Sequence, residues 1–200
     1  MRGVVQRPAG LRYEPGLLSD DEERSVVGVL ETLPLHEVRM RGQVARRTVV
    51  HFGFDYGYES WQLTPSIPLP RPLEWLRDRC AALAGIAPHE LAQTLVTRYP
   101  PGAAIGWHRD APMFGASVVG VSLLAACTMQ FQRRAGDIRQ VYELLLEPRS
   151  CYVLAGPARS AWQHRIPPVD GLRYSITFRT LRNPARWLAA GTTPTTEART

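Results

Sequence analysis

The sequence predicts an α+β protein: a double-stranded β-helix (jelly-roll) core of about eight strands, supported by N-terminal helices. Three observations carry that prediction. Two helical patterns occupy the first ninety residues. From about residue 94 the pattern changes to short β-branched and aromatic runs divided by turn residues. The length of 200 residues suits one domain with a sizeable core.

Taken in order, residues 1–18 read as irregular, broken by Pro8, Gly10, Pro15 and Gly16. A helix starts at Ser19. Ser19 and Glu22 have capping-box spacing, and Asp20, Asp21 and Glu22 suit the positive end of the helix dipole. Val26, Val27, Leu30 and Leu33 form its apolar face before Pro34 stops it. Residues 46–58 are rich in β-branched and aromatic residues and predict a hairpin, with Gly53 or Gly57 near its turns. Pro65, Pro68, Pro70 and Pro72 mark a stiff connection. A second helix is expected over 72–84, with Gly85 as its C-terminal cap, and a short helical piece over 88–93. Strand-like runs follow at 94–99, 104–108, 117–124, 128–133, 140–146, 151–154, 163–166 and 172–181. Residues 1–90 are read as helices and a substrate lid, 91–189 as the core, and 190–200 as a Thr-rich disordered tail.

The apolar fraction of 44% and charged fraction of 21% are ordinary for a globular chain. No run of eighteen apolar residues is present and the N-terminus lacks a signal-peptide core, so a cytoplasmic monomer away from membranes is expected. Cys80, Cys127 and Cys151 are widely spaced and fit reduced thiols. The net charge is +6, and every basic side chain is arginine. Codon bias of a GC-rich genome explains that usage; so does a polyanion partner, because arginine binds phosphate bidentately. Arg133, Arg134, Arg182 and Arg186 read either as solvated surface or as phosphate contacts.

The chemistry centres on Ile105-Gly106-Trp107-His108-Arg109-Asp110. Residues i and i+2 of an extended chain share a face, which brings His108 and Asp110 together. His36, His51, His89 and His164 are the candidates for a third ligand. His164 stands apart because it opens a strand-like run far enough downstream for antiparallel strands to return to the same end of a sandwich. Two histidines and one carboxylate leave open positions on an octahedral iron, whereas structural zinc is closed by four protein ligands. The run 173–179 alternates strictly. Arg173, Ser175, Thr177 and Arg179 share one face; Tyr174, Ile176 and Phe178 share the other. The polar face is either a wet edge or the lining of a barrel. In the second case two arginines roughly 20 Å apart along the strand flank a dicarboxylate.

These stretches resemble AlkB-type Fe(II)/2-oxoglutarate-dependent dioxygenases. The matching segments are LVTRYPPGAAIGWHRD (95–110), SVVGVSL (117–123), LEPRSCYVLAGPARSAWQH (146–164) and LRYSITFR (172–179). The resemblance implies that His108, Asp110 and His164 bind Fe(II). It implies that Arg173, helped by Tyr99, pairs with the distal carboxylate of 2-oxoglutarate, and that Arg179 contacts the carboxylate near the metal. Ser175 and Thr97 stand where relatives often carry asparagine and keep hydrogen-bonding capacity with shorter reach. The implied reaction consumes O2 and 2-oxoglutarate, releases succinate and CO2, and removes an N-methyl group as formaldehyde. Arg46, Arg47, His51, Phe52, Tyr56 and Tyr58 are similar to the nucleotide-recognition lid of the repair enzymes, with a simple core hairpin as the alternative. Pro112 departs from the pattern, because repair members commonly carry an acidic residue there. DNA or RNA is the expected partner. A protein or modified tRNA substrate is the alternative, and a non-catalytic nucleic-acid binding module is the rival from another class.

Overall fold

The computed structural model describes residues 6–40, 42–57, 63–136 and 138–183. Tyr58 and the 190–200 segment lie outside the described residues. Along the chain come β1 (Leu11–Glu14), α1 (Asp20–Glu31), β2 (His36–Met40), β3 (Gln43–Phe52), β4 (Phe54–Tyr56), β5 (Leu63–Pro65), α2 (Glu74–Ala84), β6 (Gln93–Tyr99) and β7 (Ile105–His108). They are followed by β8 (Phe114–Leu124), β9 (Cys127–Ala135), β10 (Ile138–Leu146), β11 (Ser150–Leu154), α3 (Gly156–Ser160), β12 (Gln163–Ile166) and β13 (Arg173–Leu181). Single 3-10 turns at Arg71–Leu73 and Pro88–Glu90 flank α2.

A seven-stranded sheet in the order β1-β11-β8-β13-β6-β3-β2 faces a four-stranded sheet in the order β10-β9-β12-β7. The β4–β5 pair stands apart from both. Strand β13 is central to the larger sheet, with Ser175 opposite Thr97 on one side and Ser122 on the other. Its alternation separates two kinds of surrounding. Tyr174, Ile176 and Phe178 join Val96 and Val121 against Val26, Leu30, Leu76 and Cys80 of α1 and α2. Between the sheets lies a second core that includes Val118, Met129, Phe131, Leu146 and Ile166. Each fully buried aliphatic or aromatic side chain stabilises the fold by about 1.5–3 kcal/mol.

The helices form where their end signals place them. The Glu22 amide donates to Ser19 Oγ at 3.2 Å, and the Ser19 amide donates to Glu22 Oε2 at 2.9 Å. Glu22 also accepts a two-pronged bond from Arg79, at 2.7 and 3.0 Å, which ties α1 to α2. Gly85 ends α2 in the left-handed region at φ 73°. Among the described residues, no helix is long and apolar enough to cross a membrane.

All eight strand runs read from the sequence are present, most of them longer at one or both ends. Three local readings are corrected. Leu11–Glu14, read as irregular, is an edge strand paired with β11. Its four residues are too few for periodicity to show, and its hydrogen bonds come from a distant partner. The segment 46–58 is not one hairpin. Strand β3 lies between β2 and β6, the chain breaks at Gly53, and β4 then pairs with β5. Pro65, read as part of a stiff connection, ends the strand β5.

Gly53 is required at that break: its φ is 75°, and a Cβ there would overlap the Ala92 carbonyl. Gly53→Ala is expected to lower unfolding free energy by more than about 1 kcal/mol, read by denaturant titration, because left-handed strain adds to a backbone clash.

Candidate active site

The polar face of β13 lines a cavity of about 310 Å³ between the two sheets. Arg173, Ser175, Thr177 and Arg179 line it together with Thr97 and Tyr99 of β6. His108, Asp110 and His164 line the same cavity. The sandwich closes here because β12 pairs with β7, placing His164 opposite His108. Their rings meet edge to face with centroids 4.3 Å apart. Strand β7 stops at His108, so Asp110 comes from the following loop rather than from a continued strand. Its Oδ2 lies 3.8 Å from His164 Nε2.

The protonation states favour a cation. Burial, then the neighbouring His108, pushes His164 down to about 3. Burial also lowers His108, against the pull of Asp110. Burial raises Asp110, but Arg179 and the two imidazoles outweigh it and hold the carboxyl well below the usual carboxylate range. His108 Nδ1 sits 2.8 Å from the Gly106 carbonyl; the neutral ring donates there and keeps its Nε2 lone pair available. One carboxylate and two neutral imidazoles are the states in which such groups bind a divalent metal. Among the described residues no three such side chains already close on a common point.

Arg173 is only 1% exposed. Its Nε donates to Ser122 Oγ at 3.1 Å, and its guanidinium lies 5.1 Å from the Tyr99 ring centre. Its Nη1 is buried with no hydrogen-bond partner. A buried guanidinium with an open donor is costly, and a carboxylate in the cavity completes it. Arg179 donates to Asp110 Oδ1 at 3.0 Å and to Gln93 Oε1 at 3.1 Å. The contact that Arg179 makes is therefore with Asp110 itself. The donor set and the orphaned Nη1 together fit iron and a dicarboxylate.

Of the lid residues, Arg47 and Tyr56 line the cavity. His51 and Phe52 do not. Phe52 packs into the helix-side core, and His51, 3% exposed, pairs with Asp55 at 2.6 Å. Both are corrected from substrate contacts to interior residues: Phe52 faces the helix side of the sheet, and His51 is in contact with Asp55 and Tyr56 of β4. Arg46 is also absent from the lining; its guanidinium packs over Gly102. Of the other histidines, His36 lies 6.4 Å from His51, and His89 sits in the 3-10 turn after α2.

Sequence reasoning missed Arg159. It donates to the carbonyls of Asp110, Ala111 and Phe114 at 3.2, 3.0 and 3.2 Å, clamping the loop that carries Asp110. Its signal was weak, since one of the chain's 24 arginines has no periodic partner to single it out. Gln93 and Ser122, buried polar residues that hold the two β13 arginines, were missed for the same reason.

A family model described as the 2OG-Fe(II) oxygenase superfamily matches residues 11–179. The chain belongs to that superfamily. Mouse tRNA (carboxymethyluridine(34)-5-O)-methyltransferase ALKBH8 is 29% identical over 83% of this chain and 25% of the mouse protein. The chain thus spans about a quarter of that relative. Alpha-ketoglutarate-dependent dioxygenase AlkB of Escherichia coli is 28% identical over 68% of this chain and 70% of its own length. Two solved structures share the fold. OsALKBH1 has a TM-score of 0.64 and 15% identity, covering 88% of this chain and 99% of that one. A Pseudomonas putida prolyl-4-hydroxylase has a TM-score of 0.61 and 13% identity, covering 86% and 93%. The protein is an AlkB-like oxygenase, an oxidoreductase whose cofactor set is Fe(II), 2-oxoglutarate and O2.

Two outcomes follow for this oxygenase. Arg159→Met should reduce 2-oxoglutarate turnover by about 10–100-fold, with Arg159→Lys recovering part of it, read as succinate formed at varied Fe(II). Burial pushes His51 down to about 4, overriding the opposite pull of Asp55. The unfolded chain takes up that proton first, so metal-free stability should fall as pH drops from about 6.5 towards 4. His164 acts in the same direction. Denaturant titrations at pH 7 and pH 5 should show a smaller loss in His51→Gln than in the parent.

Proposed function

We propose that this oxygenase oxidises an N-alkyl group on a base of DNA or RNA, releasing formaldehyde, succinate and CO2. One observation carries the reading. A single cavity joins the His108, Asp110 and His164 trio to the buried Arg173 with its unpartnered Nη1, and Arg47, Tyr56 and Arg109 line it as well. In this proposal the trio holds Fe(II). Arg173 and Tyr99 hold the distal carboxylate of 2-oxoglutarate. Ser175 and Thr97, opposite each other in register, offer short hydroxyl contacts along it. Arg179 keeps Asp110 ionised and aimed. When bound, iron, 2-oxoglutarate and O2 supply one oxygen atom to a C–H bond of the alkyl group, and the hydroxymethyl product releases formaldehyde.

Nucleic acid is supported by the net charge of +6 and by Arg47 and Arg109 in the cavity lining. The names of relatives point the same way: one is a tRNA methyltransferase, and an Arabidopsis thaliana protein 27% identical to this chain is called an alkylated DNA repair protein ALKBH8 homolog. Pro112, in the loop after Asp110, is exposed and has no side-chain acceptor.

The test supplies Fe(II), ascorbate, 2-oxoglutarate and methylated single- and double-stranded DNA and RNA, then looks for loss of one methylene by mass. His108→Ala should abolish succinate formation. Arg173→Gln should raise KM for 2-oxoglutarate by roughly 10–100-fold, in line with a charge-assisted bond to a carboxylate. Methylene loss from methylated peptides, with none from any nucleic acid, would sink the substrate assignment.

A further inference from the structure

Guanidinium groups face three of the five Phe, Tyr and Trp side chains in the cavity lining. Arg179 lies 4.6 Å from the centre of Phe114, and Arg173 lies 5.1 Å from Tyr99. Trp107 carries Arg165 at 4.7 Å and Arg139 at 5.8 Å. A ring attracts a cation through the negative potential of its face, and these three rings each present that face to an arginine of the chain itself. Arg47, which is buried, and Arg109, which is exposed, line the cavity as well. Asp110 is the single carboxylate among the described lining residues, and Arg179 engages it.

The loop after Asp110 offers little to a positively charged ligand. Its Asp110, Ala111 and Phe114 carbonyls accept from Arg159, and its Met113 carbonyl accepts from the Arg182 amide. Pro112, in the middle, has no side-chain acceptor.

We infer that the cavity takes an uncharged alkylated base and turns away a cationic one. This inference rests on the nucleobase reading above. Methylation at N1 of adenine or N3 of cytosine gives a cation at neutral pH. Methylation at N1 of guanine or N3 of uracil leaves the base neutral, with one carbonyl oxygen beside the methylated nitrogen in guanine and two in uracil. Those oxygens are acceptors, and the exposed Arg109 guanidinium in the lining offers donors to them. A cationic base brings an extra positive charge into a cavity lined by four arginines and one carboxylate, in surroundings that screen poorly.

Four single-stranded oligonucleotides of one sequence test this, carrying 1-methyladenine, 1-methylguanine, 3-methylcytosine or 3-methyluracil. The readouts are kcat/KM for methylene loss, and binding of the same strands to the metal-free protein by fluorescence anisotropy. The neutral member of each purine or pyrimidine pair should be favoured about tenfold or more in kcat/KM. It should also bind more tightly, and Arg109→Glu should narrow both differences. Equal kcat/KM within the pairs, or preference for the cationic member, overturns the inference while leaving the nucleobase reading intact. Absence of methylene loss from every strand, with succinate still formed, removes the nucleobase reading and this inference together.

Discussion

Burying two arginines between two sheets is the constraint on which the rest of the molecule depends. A guanidinium taken out of water must find acceptors or opposite charge, or the fold loses several kcal/mol. Both groups stand on the inner face of β13, and the chain meets the cost locally. Arg173 has Ser122 and the Tyr99 ring; Arg179 has Gln93, Asp110 and the Phe114 ring. What is left over at Arg173 is one donor with no partner. The larger sheet tolerates this polar face because the opposite face of β13 is apolar and is packed by α1 and α2.

Arg179 couples that requirement to the acidic member of the trio. Together with the two imidazoles its charge outweighs the burial of Asp110 and keeps the carboxyl ionised, while burial keeps both histidines neutral. One guanidinium therefore serves sheet stability and the protonation state of the site together. Arg159 completes the arrangement from outside the trio, holding the loop by its backbone carbonyls. The loop is thus defined by donors from α3 and from residues past β13 rather than by its own sequence, and Pro112 is accommodated in it.

The cavity gathers most of the site's charge. The β13 arginines face a position suited to a dicarboxylate, and Arg47 and Arg109 line the same space. Asp110 is the one carboxylate among the described lining residues.

Much of this was legible in the residues alone. The strict alternation of 173–179 separates a polar from an apolar face, because a strand offers side chains only two directions. Gly85, Ser19 and Glu22 mark helix ends because their local chemistry acts within one turn. The pairing of His108 with His164 was readable as a candidate from strand order and spacing. Local pattern fails where partners are distant. Leu11–Glu14 is a strand only because β11 pairs with it, and His51 and Phe52 are interior because β4 and the helices cover them. By itself the sequence determined the two helices, the eight later strands, the two faces of β13 and the residue types of the site. Tertiary structure alone decided that Arg179 binds Asp110, that Arg159 grips the loop, and that arginines cover the rings. Those contacts join residues far apart in the chain, and their energies depend on burial, which no local window contains.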